Sequence, residues 1–166
     1  MLRHKIIKTP FLKMILISDG THLIKCDFLY DEENSRKYQE IPQEDDEILK
    51  EASDQLAEYF NGQRATFQLP IIPKGTPFQE KVWQVLQTIP YGKTLTYKEI
   101  AIKAGSPKAY QAAGGACRAN PYTIIIPCHR VLSTTGAYTG YAGDKVFMKE
   151  NLLNLESKLF ESKNRK

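Results

Sequence analysis

Apolar positions recur with two different periods, and the change of period divides the chain. Leu12 to Ser18 and His22 to Phe28 are short apolar or alternating runs joined around Asp19-Gly20, a pattern that predicts a β-hairpin. The polar, charged stretch Asp31 to Asp46 predicts a loop. From Asp45 to Asn61 the period lengthens: Ile48, Leu49, Ala52, Leu56, Tyr59 and Phe60 share one helical stripe, with acidic residues at its start and Gly62 past its end. That helix is expected to lie on the sheet. Ala65 to Leu69 predicts one more strand. Pro70 to Pro77, with three prolines and a glycine, predicts an extended linker.

Beyond the linker the pattern is mostly helical. Thr76-Pro77-Phe78-Gln79 combines an N-cap, a proline at the first helical position and a capping-box glutamine, followed by Val82, Val85, Leu86 and Ile89 at helical spacing. After the turn Pro90-Tyr91-Gly92, a second capping box, Thr96-Tyr97-Lys98-Glu99, opens a short helix that stops at Gly105. Ser106-Pro107 predicts the start of a third, running to about Arg118. Two short helices across a tight turn predict helix-turn-helix. Tyr122 to Ile126 is β-branched and apolar and predicts a buried strand. A glycine-rich loop through Gly136, Gly140 and Gly143 precedes a final helix carrying Val146, Phe147, Leu152 and Leu155, and Glu161 to Lys166 predicts a frayed tail. The expected organisation is α/β in two domains, residues 1–77 and 78–166.

Composition bounds the function classes. A chain of 166 residues, 42% of them hydrophobic, supports one good core or two small ones. The basic N-terminus has no apolar stretch long enough for a signal sequence, and no run approaches the roughly 20 apolar residues of a membrane span. A soluble, cytoplasmic chain is expected. Cys26, Cys117 and Cys128, odd in number and widely spaced, do not make a disulfide framework. With His4, His22 and His129 they form no close metal-ligand pairs, so no metal is expected. The formal net charge of +4 conceals an asymmetry: before Phe78 there are 10 Lys and Arg against 13 Asp and Glu, net −3, and afterwards 13 against 6, net +7. A basic second half is either a solvated surface or a site for an anionic partner.

The chemistry concentrates at Pro127-Cys128-His129-Arg130, directly after Ile124-Ile125-Ile126. A thiol at the end of a buried segment, followed by an imidazole, has what a nucleophile needs: a fixed position, limited solvent and a nearby base. Consecutive residues of an extended strand point to opposite faces, so His129 serves Cys128 only if the backbone turns or a water bridges them. Pro127 marks a plausible break.

Pro127-Cys128-His129-Arg130-Val131 resembles the active-site signature of the O6-alkylguanine-DNA alkyltransferases, which are direct-reversal DNA repair proteins. The flanks are similar as well: Val82-Trp83, Ile89-Pro90-Tyr91-Gly92, Thr96-Tyr97, Gly114-Gly115-Ala116 with Arg118, Asn120-Pro121, Lys149-Glu150, Leu152-Leu153 and Glu156, spanning nearly all of Phe78 to Glu156. The resemblance implies a ribonuclease-H-like α/β domain with a small antiparallel sheet, then a mostly helical, winged-helix-like domain. It implies a monomer without cofactor that flips an O6-alkylguanine out of double-stranded DNA and takes its alkyl group once, irreversibly, O4-alkylthymine being a second candidate substrate. Cys128 matches the acceptor, His129 its base through a water, and Glu156 the carboxylate orienting the imidazole. Tyr97 matches the phenol serving the flipped guanine, and Asn120 the support of the cysteine loop. Tyr141, Ala142 and Cys117 match the alkyl pocket, and Arg130 reads as structural. For DNA contact the resemblance points to Tyr110, Gln111, Ala112, Gly114, Gly115 and Arg118 on a helix entering the minor groove.

One position departs from the pattern: Gln111 stands where an intercalating arginine is common, which removes a cation from the interface. Three other readings compete. A lesion-binding protein of the alkyltransferase-like group typically has tryptophan in place of the cysteine. A DNA-binding regulator would use the helix pair and be indifferent to Cys128. A cysteine hydrolase would use Cys128, His129 and Glu156 alone and turn over.

Overall fold

A strand the hydropathy pattern did not reveal, β1 (Arg3–Ile7), opens the chain, pairing antiparallel with β2 (Met14–Ser18), which pairs antiparallel with β3 (Leu23–Phe28). Basic residues mask β1 in the sequence; of its side chains only His4 is buried, its Nδ1 lying 2.8 Å from the Ile41 carbonyl. The computed structural model describes residues 1–134 and 144–164. The chain divides into Met1–Ile72 with Pro121–Ile125, and Pro73–Asn120 with Ile126–Lys166.

In the first unit every residue of β2 is buried, so both faces of the sheet are covered. One covering is the expected helix, α2 (Glu47–Phe60), whose N-cap Asp46 accepts from the Leu49 N–H and whose Leu49, Ala52, Leu56 and Tyr59 point inward. The other comes from the segment expected to be a loop. It contains a short helix, α1 (Glu32–Arg36), and its Tyr38 and Ile41 pack with Ile15 and Ile17.

Two expected strands are absent. Residues 65–69 form no strand, because their backbone is met by a side chain: the Gln55 amide donates to the Gln68 carbonyl and accepts from the Gln68 N–H, both at 3.0 Å. Tyr122 to Ile126 also fails to continue as a strand. Tyr122 makes one parallel bridge to Cys26, after which Ile124 turns the chain at φ 75°. A β-branched residue in that region is strained by about 1–3 kcal/mol, and the fully buried Tyr122 anchors the segment, its hydroxyl donating to the Leu23 carbonyl and accepting from the Ile72 N–H.

The second unit opens with α3 (Pro77–Leu86), which has the full capping box at Thr76 and Gln79. Its Trp83 donates from Nε1 to the Ala116 carbonyl, tying α3 to the end of α5 (Tyr110–Arg118). Between them the two-residue strand β4 (Leu95–Thr96) runs into α4 (Tyr97–Lys103), capped by Thr96 and Glu99. Gly105, at φ 84°, ends α4 by a Schellman pattern: its N–H donates to Ile102 and that of Ser106 to Ala101. Helix α5 begins at Tyr110, not Ser106, because the Ala109 N–H turns back to the Ser106 carbonyl. A last strand, β5 (Val131–Leu132), lies parallel to β4.

The final helix, α6 (Asp144–Asn164), runs past Glu161, where a tail was expected. It buries Met148, Lys149, Leu152 and Glu156, while Phe147 is 67% exposed. The glycine-rich loop through Gly136, Gly140 and Gly143, and the side chain of Val146, lie outside the described residues.

Candidate active site

The backbone turns at Cys128 and His129 instead of staying extended. Pro127, at φ −80° and ψ 66°, makes an inverse γ-turn in which the Cys128 N–H donates to the Ile126 carbonyl at 2.8 Å. Cys128–Arg130 then forms a single 3-10 turn, the Arg130 N–H donating to the Pro127 carbonyl. Asn120 braces the same point: its Nδ2 donates to the Ile126 carbonyl at 2.8 Å, so one oxygen holds both Asn120 and the cysteine backbone.

Three consecutive side chains of that turn are buried, Cys128 at 3% exposure, His129 at 1% and Arg130 at 5%. His129 Nε2 donates to Glu156 Oε2 at 2.6 Å. Arg130 takes both oxygens of the same carboxylate, Nε to Oε1 at 2.8 Å and Nη2 to Oε2 at 3.1 Å, and its Nη1 donates to the Ile89 carbonyl. Burial pushes the Glu156 carboxyl up, but His129 and Arg130 outweigh it and hold the group at about 2. The carboxylate therefore only accepts, which puts the imidazole proton on Nε2 and leaves Nδ1 as a lone pair. Nδ1 is buried and has no hydrogen-bond partner among the described residues.

Burial lowers the His129 pKa and Glu156 pulls it back, while Arg130 and Lys149 reinforce burial. The two shifts oppose each other, since Glu156 is lowered partly by an imidazolium that burial disfavours. The Arg130 guanidinium, bonded to both oxygens, favours the ionised Glu156 carboxylate as well.

Tyr97 reaches this turn because β4 pairs with β5: Leu95 faces Val131 and Thr96 faces Leu132, setting the start of α4 beside the residues that follow Arg130. Lys149, fully buried on α6, donates from Nζ to the Tyr97 hydroxyl at 3.1 Å. Burial brings Lys149 down to about 8, against the pull of the Cys117 and Cys128 thiols. It raises Tyr97 well above its ordinary value, Cys117 and Cys128 adding to the effect. Cys128 is thus within electrostatic reach of Tyr97, Cys117 and Lys149. Burial likewise raises the Cys26 and Cys117 thiols, so both stay protonated.

Tyr97 also walls a cleft of about 720 Å³ with Lys98, Tyr110, Gln111, Gly114, Arg118, Ser133 and Thr134. That volume is in the range of small-molecule sites. Among the described residues its charged lining is cationic, Lys98 and Arg118. A methyl group added at Gly114 would come no nearer than 3.8 Å to Tyr97 or Arg118, and one at Gly115 would meet only Arg118, at 3.8 Å. Packing within the described chain therefore does not require either glycine. Ala112 is exposed on the same helix. Tyr141 and Ala142 lie outside the described residues. Among the described residues no group of acidic, histidine and cysteine side chains could hold a metal ion.

Sequence reasoning named Lys149 only as a matching residue and gave Arg130 no part in the site. A signal for Lys149 was present: Lys149, Leu152 and Glu156 are spaced i, i+3, i+7, which puts two charges on the inward stripe of α6.

Related chains share this fold. Residues 2–73 match the family model described as 6-O-methylguanine DNA methyltransferase, ribonuclease-like domain, and residues 77–158 that described as its DNA binding domain. A constitutive methylated-DNA–protein-cysteine methyltransferase of Bacillus subtilis is 52% identical over 115 residues, covering 69% of this chain and 70% of its own length. The methyltransferase of that name from Methanosarcina barkeri is 44% identical over 156 residues, 92% of this chain and 96% of its own. Among solved structures, the Mycobacterium tuberculosis O6-methylguanine methyltransferase superposes with a TM-score of 0.85 at 38% identity, covering 95% of this chain and 94% of that one. The M. tuberculosis OGT in complex with DNA superposes at 0.84 and 36% identity, with the same coverage. The chain belongs to the 6-O-methylguanine DNA methyltransferase family.

Proposed function

We propose that this protein repairs DNA by moving a methyl or small alkyl group from guanine O6 onto its own Cys128, one group per molecule. The observation that carries the reading is the buried His129–Glu156 pair, whose unprotonated imidazole nitrogen belongs to the same turn as the cysteine. His129 Nδ1 draws the thiol proton through a water, and the thiolate attacks the alkyl carbon. The new S–C bond forms as the C–O6 bond breaks, and negative charge develops on the departing guanine. Tyr97, its oxygen accepting from Lys149, donates a hydrogen bond to that charge, which a proton from solvent then neutralises. The resulting thioether is stable, so the reaction stops after one event.

The target base is stacked in duplex DNA and must be rotated outward at a cost of a few kcal/mol. We read the cleft beside Tyr97 as the place that receives it, with α5 approaching the minor groove through Gly114 and Gly115, and Arg118 meeting phosphate. Cys117 forms part of the alkyl pocket. The protein acts as a monomer in the cytoplasm. Mass measurement after incubation with O6-methylguanine DNA is expected to show one added methyl on the Cys128 peptide and none on Cys128→Ser. An unmodified wild-type peptide would leave a lesion-binding protein or a DNA-binding regulator. Repeated turnover of esters or peptides would leave a hydrolase.

A further inference from the structure

The Arg130 guanidinium spends three N–H groups on the relay and its surroundings: two on the Glu156 carboxylate, one on the Ile89 carbonyl beyond α3. Its Cζ also lies 5.6 Å from the centre of the Tyr91 ring. A side chain needed only for packing would not require a bidentate grip on the very carboxylate that accepts from His129. We propose that Arg130 is a positioning residue of the relay: it fixes the Glu156 plane that selects the His129 tautomer, and its charge sets the acid edge of the pH range in which Cys128 reacts.

The alignment half follows from geometry. Two parallel N–H donors hold a carboxylate in one plane, and a single donor does not. With both oxygens occupied, Glu156 presents Oε2 to His129 in one direction, which fixes the ring and aims Nδ1 away from Glu156.

The charge half follows from the groups around His129. Glu156 and Lys149 face it from α6, Arg130 and Cys128 share its own turn, and Tyr91, beyond α3, stands next to Arg130 and Glu156. Glu156 favours an imidazolium, and the two cations oppose it. An imidazolium formed before the thiol is deprotonated cannot accept the thiol's proton. Removing the Arg130 cation leaves Glu156 less compensated, so His129 takes up a proton from solvent at higher pH. The direction is the same whether the reacting pair is written as thiol with imidazole or as thiolate with imidazolium, because both hold the same number of protons.

Iodoacetamide tests this without DNA. The thiolate displaces iodide, the S–C bond forms as the C–I bond breaks, and the thiol proton passes to His129 and then to solvent. The Cys128 peptide is quantified by mass across about pH 4.5–9, which spans the ordinary imidazole value. The acid edge of Arg130→Gln is expected about one pH unit above that of wild type. Arg130→Lys, which keeps charge but not the two-point grip, is expected to keep the wild-type edge at a lower plateau rate. Should Arg130→Gln not fold, the comparison moves to a Glu156→Gln background, where neutralising both partners leaves no unpaired buried charge; the double variant is then expected to keep its edge above that of Glu156→Gln. Coincident edges in these comparisons, with only the plateau lowered, would overturn the charge role. The same profile measured with O6-methylguanine DNA extends the result to repair. The inference rests on the alkyl-transfer reading only there: wild type inert toward DNA but responsive to iodoacetamide would sink that reading and leave Arg130 testable.

Discussion

Helices α2 and α6 both pack one face inward, yet they bury opposite kinds of residue. On α2 the inward face is Leu49, Ala52, Leu56 and Tyr59, joined by Gln55, whose amide is matched donor to acceptor on Gln68. On α6 it includes Lys149 and Glu156, while Phe147 points to solvent. Burying a large apolar side chain stabilises by about 1.5–3 kcal/mol, whereas burying a charge costs more than that until partners compensate. Helix α2 is therefore arranged for stability, and α6 gives some stability up to bury a carboxylate against His129 and an amine against Tyr97.

Exchanging what each helix buries gives the largest expected effect. Glu156→Gln keeps the shape but loses the charge that favours an imidazolium, and it should lower the rate of methyl transfer by about 10²–10³-fold, at the scale of general acid–base catalysis. Leu56→Ala should cost about 2–5 kcal/mol in denaturant unfolding while leaving the transfer rate of the folded fraction unchanged. If Leu56→Ala slowed transfer as much as Glu156→Gln, the division between the two helices would be wrong.

Lys149→Met sharpens the comparison on α6 itself. Transfer is expected to slow by about 10-fold to 10²-fold, because Tyr97, proposed to hydrogen-bond the departing guanine, loses the Lys149 donor at its oxygen. The pH dependence of stability should change too. Lys149 binds its proton below about 8 in the folded chain and below about 10.5 when unfolded, so between those values the unfolded state holds the extra proton. Wild-type stability relative to Lys149→Met should accordingly rise with pH through that interval, by up to about 3 kcal/mol. Chemical unfolding of both proteins at pH 8 and pH 10 checks the sign; a difference that stays flat or falls would mean that burial does not disfavour the Lys149 charge.

These contrasts also show what could be read before the fold was known. Where apolar period and burial agree, as in α2, or where capping chemistry is local, as at Thr76-Gln79 and Thr96-Glu99, the pattern placed the elements correctly. It failed where a distant group supplies the partner. Residues 65–69 are apolar enough for a strand but are met by the Gln55 amide, and Ile124 has strand chemistry but a left-handed backbone held by its surroundings. The Cys128-His129 signature and the matching flanks pointed to Glu156, whose pairing with His129 the structure displays. The partnership of Arg130 with Glu156 spans 26 residues of sequence and required the folded chain to be seen.

A smaller effect is expected on α5, where the outward face is under no packing demand. Gly115→Ala adds a methyl that meets only the end of the Arg118 side chain, so the helix should gain up to about 1 kcal/mol in thermal unfolding. Its affinity for duplex DNA should nevertheless fall by about tenfold, or about 1.4 kcal/mol, because the methyl stands where the proposed reading brings the DNA backbone. Fluorescence anisotropy with a labelled duplex would show this, and unchanged binding would place the DNA elsewhere.

The smallest effect concerns Gln111, exposed on the same helix and lining the cleft with Lys98 and Arg118. Glutamine fills space and hydrogen-bonds but releases no counterion. Gln111→Arg should therefore steepen the dependence of log binding constant on log salt by at most about 0.9, the increment for one neutralised phosphate. Lys98 and Arg118 already place two cations at that cleft, so the gain in affinity near physiological salt should be only a few-fold. The diagnostic is the slope: an unchanged slope with tighter binding would mean that an arginine there stacks between bases without neutralising phosphate, and that the electrostatic grip of this protein was already complete without it.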